Sequence, residues 1–159
     1  MISLKQIKLE LLKGRQIEEI IKDINWQDFE RLVSKILEKY DFKTWNNFRF
    51  KTSRRYEVDI IATDNNATFL IDCKQWSAGR YKSSALKKAI KDHEERLEEF
   101  QKFTKNNPIA RTKFRIKNSQ KLIPVIITWY EENLIKHSKT LIIPVWKLNE
   151  FLLNKDGYT

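Results

Sequence analysis

Two charged residues stand inside an otherwise apolar stretch of the sequence, TFLIDCKQW. Asp72 and Lys74 are two residues apart, and alternate residues of a β-strand point to the same face of the sheet. A carboxylate and an ammonium group would therefore share one face, while Phe69, Ile71 and Cys73 occupy the other. An isolated Asp-x-Lys pair is usually a surface ion pair, so its meaning depends on what lies opposite.

A second carboxylate is expected opposite this pair. EVDIIA, residues 57–62, predicts a buried strand, and TDNNA, residues 63–67, contains the Asp and Asn residues that tight turns favour. The two strands form a predicted hairpin whose midpoint at Asn65–Asn66 places Asp59 close to Asp72. Side chains directly across such a pair come within about 4.5–5.5 Å at Cβ. Two carboxylates and one ammonium group should therefore converge on one patch.

Two carboxylates held this close together repel each other, and at least one pKa rises unless a cation neutralises them. Oxygen ligands without cysteine or histidine suit Mg²⁺ or Mn²⁺ rather than Zn²⁺. Such a metal activates water and stabilises charge on a phosphate under attack. Lys74 would then orient the nucleophilic water or stabilise the phosphate in the transition state.

Composition and charge narrow the classes of protein. The 159 residues are 41% hydrophobic and 12% aromatic, which fits one compact domain and argues against wholesale disorder. The formal net charge of +10 favours a polyanionic partner, with nucleic acid first and an anionic membrane surface second. Cys73 is the one cysteine, and His93 and His137 lack metal-ligand spacing, so neither a disulfide nor a zinc site is expected.

The cysteine content and the hydrophobic pattern also bear on where in the cell the protein is located. A single cysteine favours a reducing compartment, and the N-terminal stretch MISLKQIKLELLKGRQ has no apolar core of the signal-peptide type. No apolar run approaches the roughly 20 residues that span a bilayer. The sequence therefore predicts a soluble cytoplasmic protein without a membrane segment.

The hydrophobic pattern predicts helices at both ends of the chain and in the middle. Residues 3–24 read as two short helices divided at Gly14, and Asn25 reads as the N-cap of a helix that ends near Tyr40. A long charged helix is expected over residues 84–105, and KLNEFLLN closes the chain as a short helix. DFKTW, EVDIIA, TFLIDCKQW, LIPVIITW and TLIIPVW read as strands, and NNFRFKTSRRY as a basic connection. The order α-β-β-β-α-β-β-α predicts an α/β fold with a mixed central sheet.

The sequence resembles the PD-(D/E)xK nuclease superfamily, which has the restriction-endonuclease-like fold. DFERLVSKILEKYDFKT, EVDIIA and FLIDCKQW carry the resemblance, over roughly residues 26–76. The chain is most similar to Mrr-type restriction endonuclease domains and, more distantly, to archaeal Holliday-junction resolvases. The resemblance implies a single nuclease domain over residues 1–159, with residues 1–24 as an N-terminal helical extension and residues 25–159 as a core whose mixed sheet is flanked by helices.

The resemblance also implies an active site. In that superfamily an acid of the first core helix, the Asp of the second strand and the (D/E)xK of the third strand act together. By position these residues are Glu30, Asp59, Asp72 and Lys74. Glu30, Asp59 and Asp72 would hold Mg²⁺ (or Mn²⁺ in its place), with Glu30 as a ligand or acting through water, and Lys74 would position the nucleophile.

Some positions depart from the Mrr-type pattern or have a structural explanation. Mrr-type domains often have Gln where this chain has Asp72, and glycine where it has Glu57. We expect Glu57 to be a strand-edge charge rather than a fifth polar group of the site. Glu30, in an early turn of its helix, is favoured there by the helix dipole alone. Gln75 points to the opposite face of its strand and is only a possible neighbour of the site.

Basic residues flank the expected site on both sides and could guide a phosphate backbone across it. The predicted nucleic-acid contacts are Arg49, Lys51, Arg54, Arg55, Arg80, Lys82, Lys113 and Arg115. Alternation around Lys113 and Arg115 also fits a half-buried strand with a solvated face. Trp45 and Trp76 could stack on bases, although core packing is the use we expect.

Together these patterns predict a Mg²⁺-dependent DNA endonuclease with weak sequence specificity or a preference for DNA structure. No base-reading module is visible, and no small-molecule cofactor beyond the metal is expected. Cleavage of both strands of a duplex would suggest a homodimer, because one site cuts one strand. The alternatives are a non-catalytic nucleic-acid-binding module on the same fold, or a nuclease that acts on RNA.

Overall fold

A computed structural model describes residues 3–75, 83–129 and 135–157. Short 3₁₀ turns lie at Val145–Lys147 and Lys155–Gly157. The helices are α1 (Leu4–Leu12), α2 (Ile17–Lys22), α3 (Trp26–Glu38), α4 (Ser83–Lys105), α5 (Pro108–Lys113) and α6 (Leu148–Leu153). The strands are β1 (Lys43–Lys51), β2 (Arg55–Thr63), β3 (Ala67–Lys74), β4 (Lys121–Thr128), β5 (Ile135–His137) and β6 (Thr140–Pro144).

The strands form one mixed sheet in the order β1-β2-β3-β4-β6-β5. β1, β2 and β3 are antiparallel neighbours, β4 pairs in parallel with β3 and with β6, and β5 pairs antiparallel to β6. The α4–α5 crossover between β3 and β4 is the type of connection that parallel neighbours need. The predicted α/β fold with a mixed sheet is therefore confirmed.

The hairpin of β2 and β3 has the register expected from its turn. Ile60 pairs with Ile71 and Thr63 pairs with Thr68, so the midpoint lies between Asn65 and Asn66. The carboxylate of Asp64 accepts the backbone N–H groups of Asn66 and Ala67, each at 2.8 Å. This Asx-type bonding fixes the turn locally, and it explains why the register could be predicted from sequence.

Helices cover both faces of the sheet. On one face, Phe29 of α3 packs with Ile71 of β3 in a cluster that also includes residues of α6. On the other face, Phe100 of α4 packs with Leu70 of β3 and with Phe114 at the end of α5. Because neighbouring residues of β3 enter different clusters, this strand is buried on both faces.

The N-terminal helices pack on the same fold. Gly14, whose φ is +84°, ends α1 in the left-handed region that favours glycine. The predicted division at Gly14 is therefore confirmed. Ile7 of α1 and Ile20 of α2 are buried in the cluster on the α3 side of the sheet. Among the described residues, no helix is both long and apolar enough to cross a membrane.

One strand is longer than the sequence predicted. NNFRFK was expected to belong to a basic connection, but β1 continues through it to Lys51. Phe48 and Phe50 pack against Phe100 of α4, which gives this half of the strand a buried side. Asn47, with φ +54°, interrupts the alternation between Trp45 and Phe48, and that interruption hid the strand.

The basic run after α4 is also different from the expected half-buried strand. Residues 108–113 form α5, with Pro108 in its first turn and the Asn107 side chain accepting the backbone N–H of Ala110 at 3.0 Å. Arg115, with φ +55°, then turns the chain. A short strand, β5, was not predicted either, since three residues are too few to show a period.

The start of α3 sets the position of Glu30, and the Asn25 cap stabilises it. The Asn25 side chain accepts the backbone N–H of Asp28 at 2.9 Å, as the sequence predicted. We expect Asn25→Ala to lower the free energy of unfolding by about 1 kcal/mol, because one N–H at the helix start loses its partner. Urea titration of the variant, with Asn154→Ala as the control, measures this loss. An unchanged midpoint for Asn25→Ala would contradict the role of the cap.

Candidate active site

The two central strands of the hairpin part next to Asp59. Among the described residues, β2 and β3 pair from Thr63 and Thr68 to Ile60 and Ile71. One residue further along, the Oδ2 atom of Asp59 accepts the backbone N–H of Cys73 at 2.8 Å. A side chain thus takes the place of the next backbone bond, and the sheet opens into a gap between the strands.

The pleat of β2 also breaks at Asp59. Val58 and Ile61 both pack in the cluster on the α4 side, whereas Ile60 packs on the α3 side. Asn47, with its positive φ, falls opposite Asp59 in the register of β1 and β2. A break of this kind re-aims side chains, as β-bulges do near active sites. It lets Asp59 approach both β3 and α3.

Asp72 is held by two cations. Its side chain is buried, and Lys74 Nζ lies 2.8 Å from Oδ2 while Arg96 Nη1 lies 3.1 Å from Oδ1. Burial opposes ionisation of Asp72, but the neighbouring side chains of His93, Lys74 and Arg96 together outweigh it and hold the pKa below its ordinary value. Asp72 and Lys74 therefore share one face of β3, as the sequence predicted.

Two residues of α4, His93 and Arg96, complete this side of the site, and neither was predicted from the sequence. His93 is fully buried, and its Nδ1 lies 2.9 Å from Arg96 Nη1. A signal was present in the sequence, because His93 replaces an apolar residue in the buried helical stripe of Ile90, Leu97 and Phe100. The lack of metal-ligand spacing concealed a histidine that binds an arginine instead of a metal.

Glu30 of α3 approaches the same gap from the other face of the sheet. It is 4% exposed, and no hydrogen bond to its carboxylate is present in the described part of the chain. Burial, followed by repulsion from Asp59, Glu57 and Asp72, raises its pKa to about 7. A buried carboxylate without a partner is costly when ionised, so this position calls for a proton or a cation.

The ionised form of Asp59 is destabilised in a similar way. Burial and the nearby charge of Asp72 raise its pKa to about 6, and the hydrogen bond from Cys73 only partly opposes this. The structure thus brings Glu30, Asp59, Asp72 and Lys74 into one electrostatic neighbourhood. Within residues 3–75, 83–129 and 135–157, however, no three His, Cys, Asp or Glu side chains are arranged to enclose a metal ion.

A polar cleft of about 650 Å³ lies beside Glu30, between α3 and the β1–β2 hairpin. Trp26, exposed over about half of its surface, stands at its rim. Glu57 also lines the cleft and pairs with Arg49, with Nε and Oε2 2.6 Å apart. Glu57 therefore forms an exposed ion pair and also acts on Glu30 by charge, and its predicted role as a strand-edge charge stays a prediction. Gln75 instead donates to the Ile24 carbonyl at 2.8 Å, which ties the end of β3 to the start of α3.

The predicted basic contacts are distributed along one hairpin and α5. Arg54 pairs with Glu95 of α4 at 2.6 Å, and Lys113 lies over the ring of Phe48 at 5.3 Å. Lys51, Arg55 and Arg115 are exposed. Their contacts with nucleic acid stay a prediction. Arg80, Lys82 and Trp76 lie outside the described residues.

The one predicted stacking residue that can be placed is Trp45, which has a packing role. Its ring meets Phe114 edge-on, with centroids 5.2 Å apart, in the cluster that contains Phe100. Cys73 packs against the cluster on the α3 side, and burial raises the pKa of its thiol well above the ordinary value. Cys73 is therefore a packing residue, as expected.

The buried His93 predicts a specific dependence of stability on pH. Burial lowers its pKa to about 4, so the folded protein binds fewer protons than the unfolded chain between pH 4 and 6.5. Stability from this residue is therefore complete above pH 6.5 and is lost as pH falls. Between pH 7.5 and 5, we expect the wild type to lose about 2 kcal/mol more than His93→Gln does.

Urea titrations at the two pH values measure this difference. The carboxylates with raised pKa values change stability in the opposite direction, but they are present in both proteins and largely cancel in the comparison. His137→Gln, which removes an exposed histidine, is the control and should follow the wild type. Equal losses for the wild type and His93→Gln would show that His93 is not buried in its neutral form.

Comparisons with known proteins place this geometry in a family. The NERD family, described as the nuclease-related domain, matches residues 25–145, a segment that contains all four predicted site residues. An uncharacterized protein of Archaeoglobus fulgidus is 33% identical over 136 residues, which cover 85% of this chain and 95% of that protein. The crystal structure of the protein of unknown function AF1548 is 18% identical with a TM-score of 0.45, over 84% of this chain and 67% of that one.

Proposed function

Because the chain belongs to the nuclease-related domain family, we propose that it is a metal-dependent endonuclease that hydrolyses phosphodiester bonds in DNA. The observation that carries the proposal is the crowding of Glu30, Asp59 and Asp72 around the gap between β2 and β3, with Lys74 bound to Asp72. Two carboxylates with raised pKa values destabilise the fold when they are ionised, so a purely structural role does not explain them. A site that binds a cation has a reason to keep them.

The donor set fits a divalent cation such as Mg²⁺ or Mn²⁺. All three acids offer oxygen atoms, which these ions prefer, and the Glu30 carboxylate is buried without a hydrogen bond in the described residues. Asp59 and Asp72 would hold the ion, and Glu30 would bind it directly or through water. When bound, the ion supplies charge neutralisation and activation of water. The three side chains would have to rearrange to bind an ion, since these acids are not arranged around one here.

The chain's own residues then have separate tasks in hydrolysis. Water adds across a phosphorus–oxygen bond, which gives a phosphate monoester and a free hydroxyl group. Lys74, 31% exposed on its side chain, can reach solvent and the phosphate, so we assign it the orientation of the attacking water and stabilisation of the developing charge. Without a metal ion, the Glu30 carboxylate has its pKa raised to about 7, and a bound cation would displace its proton.

Charge supports a nucleic acid as the substrate, and the resemblance to Mrr-type and junction-resolving enzymes is the reason to propose DNA. The net charge of +10 favours a polyanion, and Arg49, Lys51 and Arg55 follow the β1–β2 hairpin away from Asp59. A phosphate backbone bound there would lead into the site. We propose weak sequence specificity or selection of DNA structure, in the manner of Mrr-type or junction-resolving enzymes. A homodimer would place two such sites for cleavage of both strands.

The test is nuclease activity with Mg²⁺ or Mn²⁺ on duplex, nicked, branched and single-stranded DNA, with RNA of the same sequences in parallel. Asp72→Ala and Lys74→Ala are compared with the wild type, and EDTA provides the metal-free control. We expect metal-dependent cleavage that Asp72→Ala abolishes and Lys74→Ala strongly reduces. Undiminished cleavage by both variants would exclude the proposed site, and cleavage of RNA alone would correct the substrate.

The alternative is a module that binds nucleic acid without cutting it. The same basic surface would serve such a module, but the strained acids at the gap would have no use. Salt-dependent DNA binding without cleavage under any divalent metal would favour this alternative over the nuclease.

A further inference from the structure

A closed chain of hydrogen bonds joins α4 to β3 behind Asp72. The Leu70 carbonyl lies 2.9 Å from His93 Nε2, His93 Nδ1 lies 2.9 Å from Arg96 Nη1, and the same Nη1 lies 3.1 Å from Asp72 Oδ1. The chain therefore begins and ends on one strand, at two residues that are neighbours on the same face. We call these contacts of His93 and Arg96 the His93–Arg96 bridge.

The chemistry of the partners fixes the direction of each bond. A carbonyl oxygen can only accept, so Nε2 of His93 carries the proton and donates to Leu70. Nδ1 of the same ring is then an acceptor, which suits a guanidinium group that can only donate. The two hydrogens of Arg96 Nη1 go to His93 and to Asp72. Each polar group has the partner that it needs, and the ring is neutral.

We propose that Arg96 is a positioning residue for the nuclease site, oriented by His93, and that it holds Asp72 by Oδ1 so that Oδ2 is presented to Lys74 and to the divalent cation. This inference rests on the proposed function. His93 is 0% exposed and Asp72 is 3% exposed, and each is held by a hydrogen bond to Nη1 of Arg96. Arg96 contacts Oδ1 of Asp72 and Lys74 contacts Oδ2, so the two cations bind different oxygen atoms of the carboxylate.

The bridge also explains why an arginine is needed at this position. A lysine could supply the charge, but its point-like ammonium group does not present the planar set of donors that a guanidinium group does. Arg96 lies one turn after His93 on α4, and residues at this spacing share a helix face. Charge alone would keep Asp72 ionised; the bridge in addition sets the direction of the carboxylate.

Two measurements test the proposal, and the first does not depend on cleavage. Long-range ¹⁵N–¹H spectra of the imidazole rings at pH 7 report which nitrogen carries a proton. We expect His93 to be neutral with the proton on Nε2, and we expect Nδ1 to shift in Arg96→Gln. A charged ring, or a proton on Nδ1, would overturn the bridge whatever the activity of the protein.

The second measurement is the cleavage rate at saturating DNA and metal. We expect Arg96→Gln to lower kcat by about 10–10²-fold with little change in KM, and Arg96→Lys to recover little of it. His93→Phe added to Arg96→Gln should cause no further loss, because the two residues act as one unit. Arg15→Gln, which removes a surface guanidinium bound to Glu10 and Asp23, is the control and should keep wild-type kcat.

The outcomes separate the two proposals. Full recovery of kcat in Arg96→Lys would show that Arg96 supplies charge only, and wild-type kcat in Arg96→Gln would show that it supplies nothing; either result overturns the positioning role. A wild type that cuts no nucleic acid with any metal would overturn the nuclease proposal, and the spectra would still decide the bridge. Arg96→Lys keeps the charge next to Asp72, so it provides a folded variant if Arg96→Gln unfolds.

Discussion

Lys74→Met is expected to lower the cleavage rate by about 10²–10³-fold at saturating metal, the usual effect of removing one group that stabilises charge in a transition state. The ammonium group lies 2.8 Å from Asp72 Oδ2, so it also competes with a cation for that oxygen. Its removal should therefore leave Mg²⁺ binding intact or tighter while chemistry slows. Single-turnover cleavage over a range of Mg²⁺ concentrations separates the two effects.

The matched control for this change is Lys139→Met. Lys139 is exposed and its ammonium group lies 3.9 Å from Glu98, so the variant makes the same substitution and loses the same charge at a position remote from Asp72. It should cleave at the wild-type rate. A Lys74→Met protein that also cleaves at that rate, or one whose activity returns at higher Mg²⁺ concentration, would remove Lys74 from the chemical step.

Asp59→Asn is expected to abolish cleavage and, in the absence of metal, to make the protein more stable. The amide oxygen can still accept the Cys73 N–H, but the repulsion from Asp72 disappears. At pH 8, in EDTA, we expect the free energy of unfolding to rise by about 1–3 kcal/mol. Cleavage should fall by at least about 10³-fold, since the variant loses an anionic oxygen from the metal site.

The sign of this effect follows from the pKa. Asp59 has its pKa raised to about 6 in the folded protein, so its ionisation penalises the fold above pH 6 and ceases to do so as pH approaches 4. The stability advantage of Asp59→Asn should therefore shrink as pH falls from 8 towards 4. Urea titration over this pH range measures it, and a variant less stable than the wild type at pH 8 would contradict the predicted strain.

Asp72→Asn provides the comparison of opposite sign. Its carboxylate is paired with Lys74 and Arg96, and removal of one charge from a buried pair leaves the partners uncompensated. We expect a loss of about 2–4 kcal/mol in the free energy of unfolding. Two isosteric changes, at facing positions of one hairpin, thus abolish the same activity but shift stability in opposite directions.

The hairpin and the positions of its charged residues could be predicted from the sequence, because both depend on local rules. The Asx turn at Asp64 sets the register, and strand parity places Asp72 and Lys74 on one face. The full length of β1 could not be predicted in this way. Asn47 adopts a left-handed conformation, which breaks the alternation between Trp45 and Phe48 and makes a continuous strand resemble a loop.

The parts of the site that the sequence did not show depend on tertiary packing. Arg96 reaches Asp72 because α4 crosses β3 and β4, and no spacing along the chain reveals that contact. The pKa of Glu30 depends on its burial and on repulsion from Asp59, a residue of a different element. The site residues could be identified by resemblance to a superfamily. Their pKa values could not be predicted in this way, because these depend on contacts that only the structure shows.

The most direct test of the central claim is a crystal structure of the wild-type protein soaked in Mn²⁺, with data collected at a wavelength where manganese scatters anomalously. The account predicts one strong anomalous peak in the gap between β2 and β3, bound by Asp59 and Asp72 and with Glu30 in direct or water-mediated contact. Asp59→Asn crystals soaked in the same way should lose the peak. A fully soaked crystal with no manganese at Asp59 and Asp72 would contradict the proposed metal-dependent nuclease site.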